Sequence, residues 1–211
     1  MQIIDLTHPL SSDTQPYPGS PPNKIEQAAF IDKDGCRVKT LGITTHSGTH
    51  MDAPAHMLQN GKALDDYSAD CFYGKALVID ALTDTADEIP PDILKEINLE
   101  NWPDFILFNT GWDKKYGTSE YYASFPFLSA ALAEQISGLG LKGVGIDSPS
   151  VDSINSRDYP VHRILMEKGM LILENLCCLD KIGKQEFTLA AFPLKVFDAD
   201  GSPIRAAAIL D

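Results

Sequence analysis

The sequence predicts a mixed α/β fold, rich in strands, in a single domain over residues 1–211. Short β-type apolar runs recur along the chain with turn residues between them. Several runs are apolar at every position, as in strands covered on both faces. Segments with a helical period are few, and there is no repeat, linker or low-complexity tract. These observations favour one compact unit over several.

Strands are predicted at residues 2–6, 38–45, 76–79, 105–109, 143–147, 170–176, 192–197 and 204–210. The DADG segment, residues 198–201, predicts a hairpin turn in which Gly201 supplies a positive φ. Residues 15–23 contain Pro16, Pro18, Pro21 and Pro22, so they predict an ordered loop and not a helix.

Three helices are predicted. Leu128, Leu132, Ile136 and Leu139 follow the 3.6-residue period, and Gly138 or Gly140 ends that helix. A shorter helix opens at Pro90 and Pro91 and runs through Ile97, and a third covers residues 161–168, before Gly169.

Composition excludes several classes of protein. A formal net charge of −13 argues against nucleic-acid binding, which needs clustered Lys and Arg. No apolar stretch is long enough for a signal peptide or a membrane span, so we expect a cytoplasmic protein without a membrane partner. Cys36, Cys71, Cys177 and Cys178 lack CxxC spacing and are interpreted as buried thiols.

The segment HSGTHMDAPAH, residues 46–56, concentrates polar groups that bind metals. Imidazole and carboxylate are ligands shared by zinc, manganese and iron sites, and His46, His50 and Asp52 are close enough in the chain to share an ion. Gly48 permits a tight turn, and Pro54 stiffens the chain before His56, so the segment is interpreted as a loop. An isolated histidine is more often a hydrogen-bonded structural residue, but such clustering favours a metal site.

The same segment resembles the HxGTHxDxPxH signature of the cyclase family, which includes bacterial kynurenine formamidases and isatin hydrolases. Further segments are similar in the same order: DLTHPL at residues 5–10, NTGW at 109–112, GIDSPSVD at 145–152, and the stretch from His162 to Glu174. The likeness spans essentially the whole chain. It implies the swivelling β/β/α fold of that family.

The resemblance also implies roles for individual residues. His46, His50 and Asp52 would hold a first divalent ion, Asp52 would bridge to a second, and His162 and Glu174 would complete the site. The cofactor would be one or two ions per chain, with zinc as the first expectation and manganese as the alternative. His56 would be the catalytic acid–base group and not a ligand.

The residues themselves support one distant member of this set. Glu174 is a charged residue inside the apolar run 170–176, where a buried carboxylate needs a cationic partner. A metal ion would supply the charge. The alternative is a basic side chain such as Arg163 or Arg157.

Divalent ions held this way lower the pKa of water and polarise a carbonyl, and His56 could protonate the leaving amine. The resemblance therefore implies a hydrolase of amide bonds, such as an arylformamidase releasing kynurenine and formate, or of a related cyclic amide or lactone. The partner would be a small molecule. The rival hypothesis is a non-catalytic metal-binding or ligand-sensing protein. Metal binding needs only the ligands, so the presence of His56 as a further acid–base group favours the enzyme.

Pocket residues are predicted less directly. Formamidases of the family carry Trp where this chain has Tyr17, next to Pro18, so Tyr17 would stack on a substrate with a smaller face. Trp112 is a candidate for the pocket wall or for the core. Asp147, Ser148, Ser150 and Asp152 would either line the pocket or cap the turn into the helix at Val161.

Relatives assemble, so we expect a homo-oligomer, a dimer or a tetramer.

Overall fold

The computed structural model describes residues 1–97, 103–183 and 186–210. The strands are β1 (Gln2–Asp5), β2 (Lys24–Ala29), β3 (Val38–Gly42), β4 (His50–Asp52), β5 (Tyr73–Asp80), β6 (Glu88–Ile89), β7 (Phe105–Asn109), β8 (Phe127–Leu128), β9 (Gly143–Ile146), β10 (Leu171–Glu174), β11 (Phe187–Pro193) and β12 (Gly201–Leu210). The α-helices are α1 (Ile31–Asp34), α2 (Ala130–Ser137) and α3 (Pro160–Met166). Short 3-10 helices cover Pro54–His56, Leu64–Asp66, Ala69–Phe72, Pro91–Glu96, Trp112–Lys115 and Leu179–Lys181.

Eight strands form one sheet in the order β1, β12, β11, β5, β7, β9, β10, β4. Because β4 also pairs with β12, seven of these strands close into a ring, with β1 added at the edge of β12. The pairs joining β5, β7, β9 and β10 are parallel, and the other pairs of this sheet are antiparallel. The predicted strand-rich mixed α/β fold is confirmed.

Side chains of the sheet alternate between two apolar clusters. In β7, Phe105 and Leu107 belong to a cluster drawn from strands around the ring, which fills its inside. Ile106 belongs to a second cluster, shared with the buried faces of α2 and α3 outside the ring. On β9 the inner position is Gly145, where a Cβ would lie 2.6 Å from Leu107, so glycine is needed for this packing. Within the described residues, no helix has the length and apolar content needed to cross a membrane.

Several sequence predictions about local structure are wrong. Strand β11 spans Phe187–Pro193 and not residues 192–197, because its buried side chains alternate along 187–191 while Leu194, Val196 and Phe197 are exposed. Strand β2 was missed because its exposed residues alternate weakly. The segment at 50–52 is strand β4 and not a loop; its functional polar residues hid the strand pattern.

Two further details differ. The turn before β12 has its positive φ at Asp198 (54°), whereas Gly201 is the first residue of β12 and has an ordinary φ. The interpretation of four buried thiols holds for Cys177 alone, because Cys36 is exposed and Cys71 and Cys178 are half-buried. The helices predicted near 128–139 and 161–168 are present as α2 and α3, and the stretch after Pro90 forms a 3-10 helix.

Candidate metal centre

Two neighbouring strands bring together predicted ligands that are far apart in the sequence. In the antiparallel β4–β10 ladder, His50 lies opposite Glu174 and Asp52 lies opposite Ile172. Alternate residues of a strand share a face and directly opposed residues lie side by side, so His50, Asp52 and Glu174 stand together on the outer face of the ring. His50 Nε2 is 3.2 Å from Asp52 Oδ1 and 3.5 Å from Glu174 Oε2. All three side chains are buried.

Helix α3 supplies His162 to the same face. Its Nε2 is 3.3 Å from Glu174 Oε1 and 3.6 Å from Asp52 Oδ2. The Asp152 carboxylate accepts hydrogen bonds from the backbone amides of Val161 and His162 at 3.0 and 2.9 Å, so it caps the first turn of α3. The open alternative for Asp152 is thereby settled in favour of capping.

Three histidines are candidate ligands: His46, His50 and His162. In each of them, one ring nitrogen lies within hydrogen-bond distance of an acceptor outside the proposed metal site. His162 Nδ1 is 2.6 Å from Asp152 Oδ2, His50 Nδ1 is 2.9 Å from the Gly48 carbonyl oxygen, and His46 Nε2 is 2.8 Å from Asp200 Oδ2. An acceptor at one nitrogen fixes the N–H there, which leaves the other nitrogen with a free lone pair. The free nitrogens are those that face Asp52 and Glu174.

His46 reaches the cluster from the turn before β4. Gly48 in that turn has φ of 64°, as its predicted role in a tight turn requires. His46 Nδ1 lies 2.7 Å from Asp52 Oδ1. The ring packs against Gly201 of β12, where a Cβ would come within 2.7 Å of His46 Cε1. The positions of Asp200 and Gly201 beside His46 were not predicted from the sequence, because both residues were assigned to a turn.

The charges of the cluster are strongly coupled. Burial would raise the pKa of Asp52, but the imidazoles of His50 and His46 hold that pKa well below its usual range. Burial would lower the pKa of His46, but Asp52 and Asp200 outweigh it and raise the pKa to about 10. The buried Asp52 carboxylate therefore remains ionised and attracts positive charge, either protons on the histidines or a cation.

Among the described residues, no Lys or Arg forms an ion pair with Glu174. Its contacts are His50, His162 and the backbone amide of Val151, which donates to Oε1 at 2.9 Å. The Arg163 guanidinium instead donates to the carbonyl oxygens of Met57 and Asp158. The alternative of an Arg163–Glu174 pair is therefore wrong.

The donors fit a divalent cation. Asp52 Oδ2 is a buried carboxylate oxygen without a hydrogen-bond partner in the described part of the chain, although such atoms are normally satisfied. It faces His162 Nε2, as a bridging carboxylate between two ions would. Three imidazoles with two carboxylates form a donor set suited to zinc, manganese or iron.

A cavity of about 290 Å³ opens over the cluster. Among its lining residues are His46, His50, His56, His162, Glu174 and Tyr17, and its other walls include Met57, Pro149, Ser150 and Tyr159. His56 is 27% exposed, and its ring centroid lies 4.0 Å from that of His46. Tyr17 packs edge-on against Tyr122, and its burial, together with nearby acidic groups, raises its pKa to about 12. Its phenol is therefore neutral near pH 7.

Three other pocket candidates lie outside the described lining of this cavity. Trp112 is buried in an aromatic cluster, where its Nε1 donates to the Tyr121 carbonyl oxygen at 3.1 Å. Ser148 is buried and donates to the carbonyl oxygen of Ser150, while Pro18 is exposed. In contrast, Ser150 lines the cavity.

Comparisons with known proteins show which family this chain belongs to. A family model described as "Putative cyclase" matches residues 4–153. A kynurenine formamidase of Bacillus thuringiensis (strain Al Hakam) is 33% identical over 204 residues, covering 96% of this chain and 95% of that protein.

Solved structures share the fold. Isatin hydrolase A from Labrenzia aggregata, bound to benzyl benzoate, superposes with a TM-score of 0.88 at 26% identity, covering 100% of this chain and 94% of that one. A potential metal-dependent hydrolase with cyclase activity has a TM-score of 0.81 at 24% identity, covering 98% of this chain and 96% of that one, which supports the fold alone. With the family model covering most of its length, this chain belongs to the cyclase family.

Proposed function

We propose that this chain is a metal-dependent hydrolase of amide C–N bonds, with an arylformamide such as N-formylkynurenine, or a related cyclic amide or lactone, as substrate. The observation that carries the proposal is the buried convergence of Asp52, Glu174 and His162 beneath a cavity that also exposes His56. The kynurenine formamidase relatives and the isatin hydrolase neighbours support the reaction class.

In this proposal His46, His50 and Asp52 would hold one divalent ion, and Asp52, His162 and Glu174 would hold a second. Such ions lower the pKa of water toward neutrality and polarise a carbonyl oxygen. Asp152, Gly48 and Asp200 keep the three imidazoles in the required tautomers. The identity of the metal, zinc or alternatively manganese, and the count of one or two ions per chain remain predictions. Metal analysis of purified protein tests both.

His56 is the acid–base group of the proposed reaction. Hydrolysis adds one water to the amide carbon, and the C–N bond breaks as the nitrogen takes up a proton. His56 Nδ1 lies 3.4 Å from Asp200 Oδ2, which leaves Nε2 available to a substrate in the cavity that His56 lines. An imidazole can both accept and donate a proton, so a histidine held beside the metal cluster suits this proton transfer.

The cavity walls favour a small substrate with an aromatic ring. The volume is at the low end of the range for small-molecule sites. Tyr17 and Tyr159 present ring faces or edges to it, and Met57 and Pro149 add apolar surface. The benzyl benzoate in the Labrenzia aggregata structure is also an aromatic molecule.

The test combines metal analysis with hydrolysis of N-formylkynurenine, isatin and a panel of lactones. We expect the His56→Ala variant to keep its metal, while its kcat falls about 10²–10⁴-fold, which is the usual contribution of a positioned acid–base group to the rate. His8→Ala is the matched control, because His8 stacks on Tyr116 outside the described lining of the cavity. A wild-type protein that binds metal and hydrolyses none of these compounds would instead support the non-catalytic alternative.

We also propose that the chain forms a homo-oligomer. Strands β2 and β3 form a separate two-stranded sheet with mostly exposed side chains, including Val38 and Leu41, and Ile31 is exposed at its connection. Isolated two-stranded sheets are marginally stable alone, which favours cover by another subunit. Light scattering after size-exclusion chromatography tests this, and a monomeric mass at micromolar concentration would contradict it. A cytoplasmic location stays a prediction.

A further inference from the structure

Asp200 contacts two histidines to which the proposed function gives different tasks. Its Oδ2 atom lies 2.8 Å from His46 Nε2 and 3.4 Å from His56 Nδ1. His46 is a proposed metal ligand, whereas His56 is the proposed acid–base group. A single carboxylate oxygen is therefore within hydrogen-bond distance of both.

The backbone around Asp200 is held by the sheet. The Asp200 carbonyl oxygen accepts a hydrogen bond from the Ala53 amide at 2.9 Å. The next residue, Gly201, is paired with Asp52 in the β12–β4 ladder. Ladder hydrogen bonds thus set the distance between this carboxylate and the segment that carries His46, Asp52 and His56. A loop without such pairing would not fix this distance.

We propose that Asp200 is a shared positioning residue, which fixes His46 as a metal ligand through Nδ1 and His56 as an acid–base group through Nε2. This inference rests on the proposed function. It adds a residue outside the signature segment to the machinery of the site. It also links the two tasks, since loss of one carboxylate would disturb both histidines.

The two imidazoles need such a partner because packing holds them only partly. Their side chains are 22% and 27% exposed, unlike His50 and His162, which are 4% and 3% exposed. A partly exposed imidazole can flip or exchange its tautomer unless a hydrogen bond selects one state. Carboxylates that orient a ligand histidine in this way typically contribute 10–100-fold in metal affinity.

The first test uses Asp200→Asn, which keeps the size of the side chain and removes its charge. We expect metal affinity, measured by competition with a chromogenic chelator, to fall about 10–100-fold. Asp198→Asn is the matched control: Asp198 is exposed in the same turn, and asparagine tolerates its positive φ. Unchanged metal affinity in Asp200→Asn, or an equal loss in both variants, would overturn the His46 part.

The second test addresses His56 at saturating metal. We expect Asp200→Asn to lower kcat more than it raises KM, and Asp200→Glu to recover part of that loss. When His56 is already alanine, we expect the addition of Asp200→Asn to change kcat less than about twofold. An equal loss of kcat in both backgrounds would overturn the His56 part, because the effect would not pass through that residue.

The third test does not depend on turnover. In nitrogen-15 spectra of the histidines, metal-loaded wild-type His56 should carry its proton on Nδ1, and Asp200→Asn should shift the ring toward a mixture of tautomers. The same tautomer in both proteins would contradict the proposal. If wild-type protein hydrolyses no amide, the proposed function fails, while chelator competition and the spectra still decide the role of Asp200.

Discussion

One part of the cavity lining, here called the strand wall, is built from strands, and another part, the loop wall, is built from loops. His50, Asp52 and Glu174 stand on β4 and β10, where ladder hydrogen bonds fix their spacing. Tyr17 belongs to the loop between β1 and β2, and Tyr159 precedes α3 with a positive φ of 47°. The strand wall is suited to constant geometry around ions, while the loop wall can change side chains without moving the ligands. Metal binding and substrate choice should therefore respond to different mutations.

Among changes to the strand wall, Glu174→Gln should lower metal affinity the most. Glutamine keeps an acceptor for the Val151 amide, so the fold is retained while one negative charge is lost from the cluster. We expect metal affinity to fall by more than about 100-fold, above the usual range for residues that only orient a ligand. Wild-type protein at 100 times its Kd should gain about 2.7 kcal/mol of stability from the metal, and the variant should gain little.

Thermal denaturation with and without metal measures this difference. Glu167→Gln serves as the control, since Glu167 is exposed at the end of α3 and has the same charge change. An equal metal-dependent rise in Tm for wild type and Glu174→Gln would show that Glu174 is not a ligand.

Gly201→Ala should disturb the same wall with a smaller effect. The added Cβ would lie 2.7 Å from His46 Cε1 and 3.1 Å from the Met51 carbonyl oxygen, so the imidazole must move. Displacement of His46 weakens its bonds to Asp52 and Asp200, and we expect metal affinity to fall about 10–100-fold. Overpacking should also cost about 1–3 kcal/mol of folding stability.

Chelator competition and thermal denaturation report the two effects of Gly201→Ala separately. In Gly138→Ala the nearest contact of the new Cβ would be Gln135 O at 3.5 Å, which makes it a mild control at the end of α2. Wild-type metal affinity in Gly201→Ala would mean that the position of His46 is unimportant.

The two walls also differ in how far the sequence predicts them. Four of the candidate ligands could be proposed from the residues themselves, because three lie within residues 46–56 and Glu174 is a charge within an apolar run. The fifth, His162, was proposed from the family resemblance alone. Asp200 and Gly201 were not predicted, because their roles depend on the pairing of β12 with β4, and strand partners distant in sequence are not encoded in a local pattern. Strand β4 itself was interpreted as a loop because its functional polar residues hid the strand pattern.

The fold was predicted in outline because the residues of its buried strands are themselves mostly apolar. Fully buried strands such as β7 and β9 are apolar at most positions, so their sequence reveals them. Strand β11 was misplaced because the apolar residues after it, Leu194 to Phe197, are exposed and resemble a buried run. Local hydrophobicity thus locates fully buried strands better than it locates the ends of strands that are followed by exposed apolar residues.

Tyr17→Trp should alter the loop wall alone, with the smallest effect. The ring of Tyr17 borders the cavity and packs edge-on against Tyr122, and a larger ring offers more surface to an aromatic substrate. Aromatic contacts contribute about 0.5–1.5 kcal/mol, so KM for an arylformamide should fall about 2–10-fold. Metal affinity and kcat should stay within about twofold of wild type, because no described contact joins Tyr17 to the ligands by a hydrogen bond.

The measurement compares an aryl with an alkyl formamide of similar size. Tyr17→Phe separates the hydroxyl from the ring, and we expect it to preserve the preference for the aryl substrate. The neutral phenol adds no charge near pH 7, since burial and nearby acidic groups raise its pKa to about 12. If Tyr17→Trp changes KM equally for both substrates, the aromatic ring of the substrate does not bind at Tyr17. If the same variant loses metal affinity, the loop wall and the strand wall are coupled.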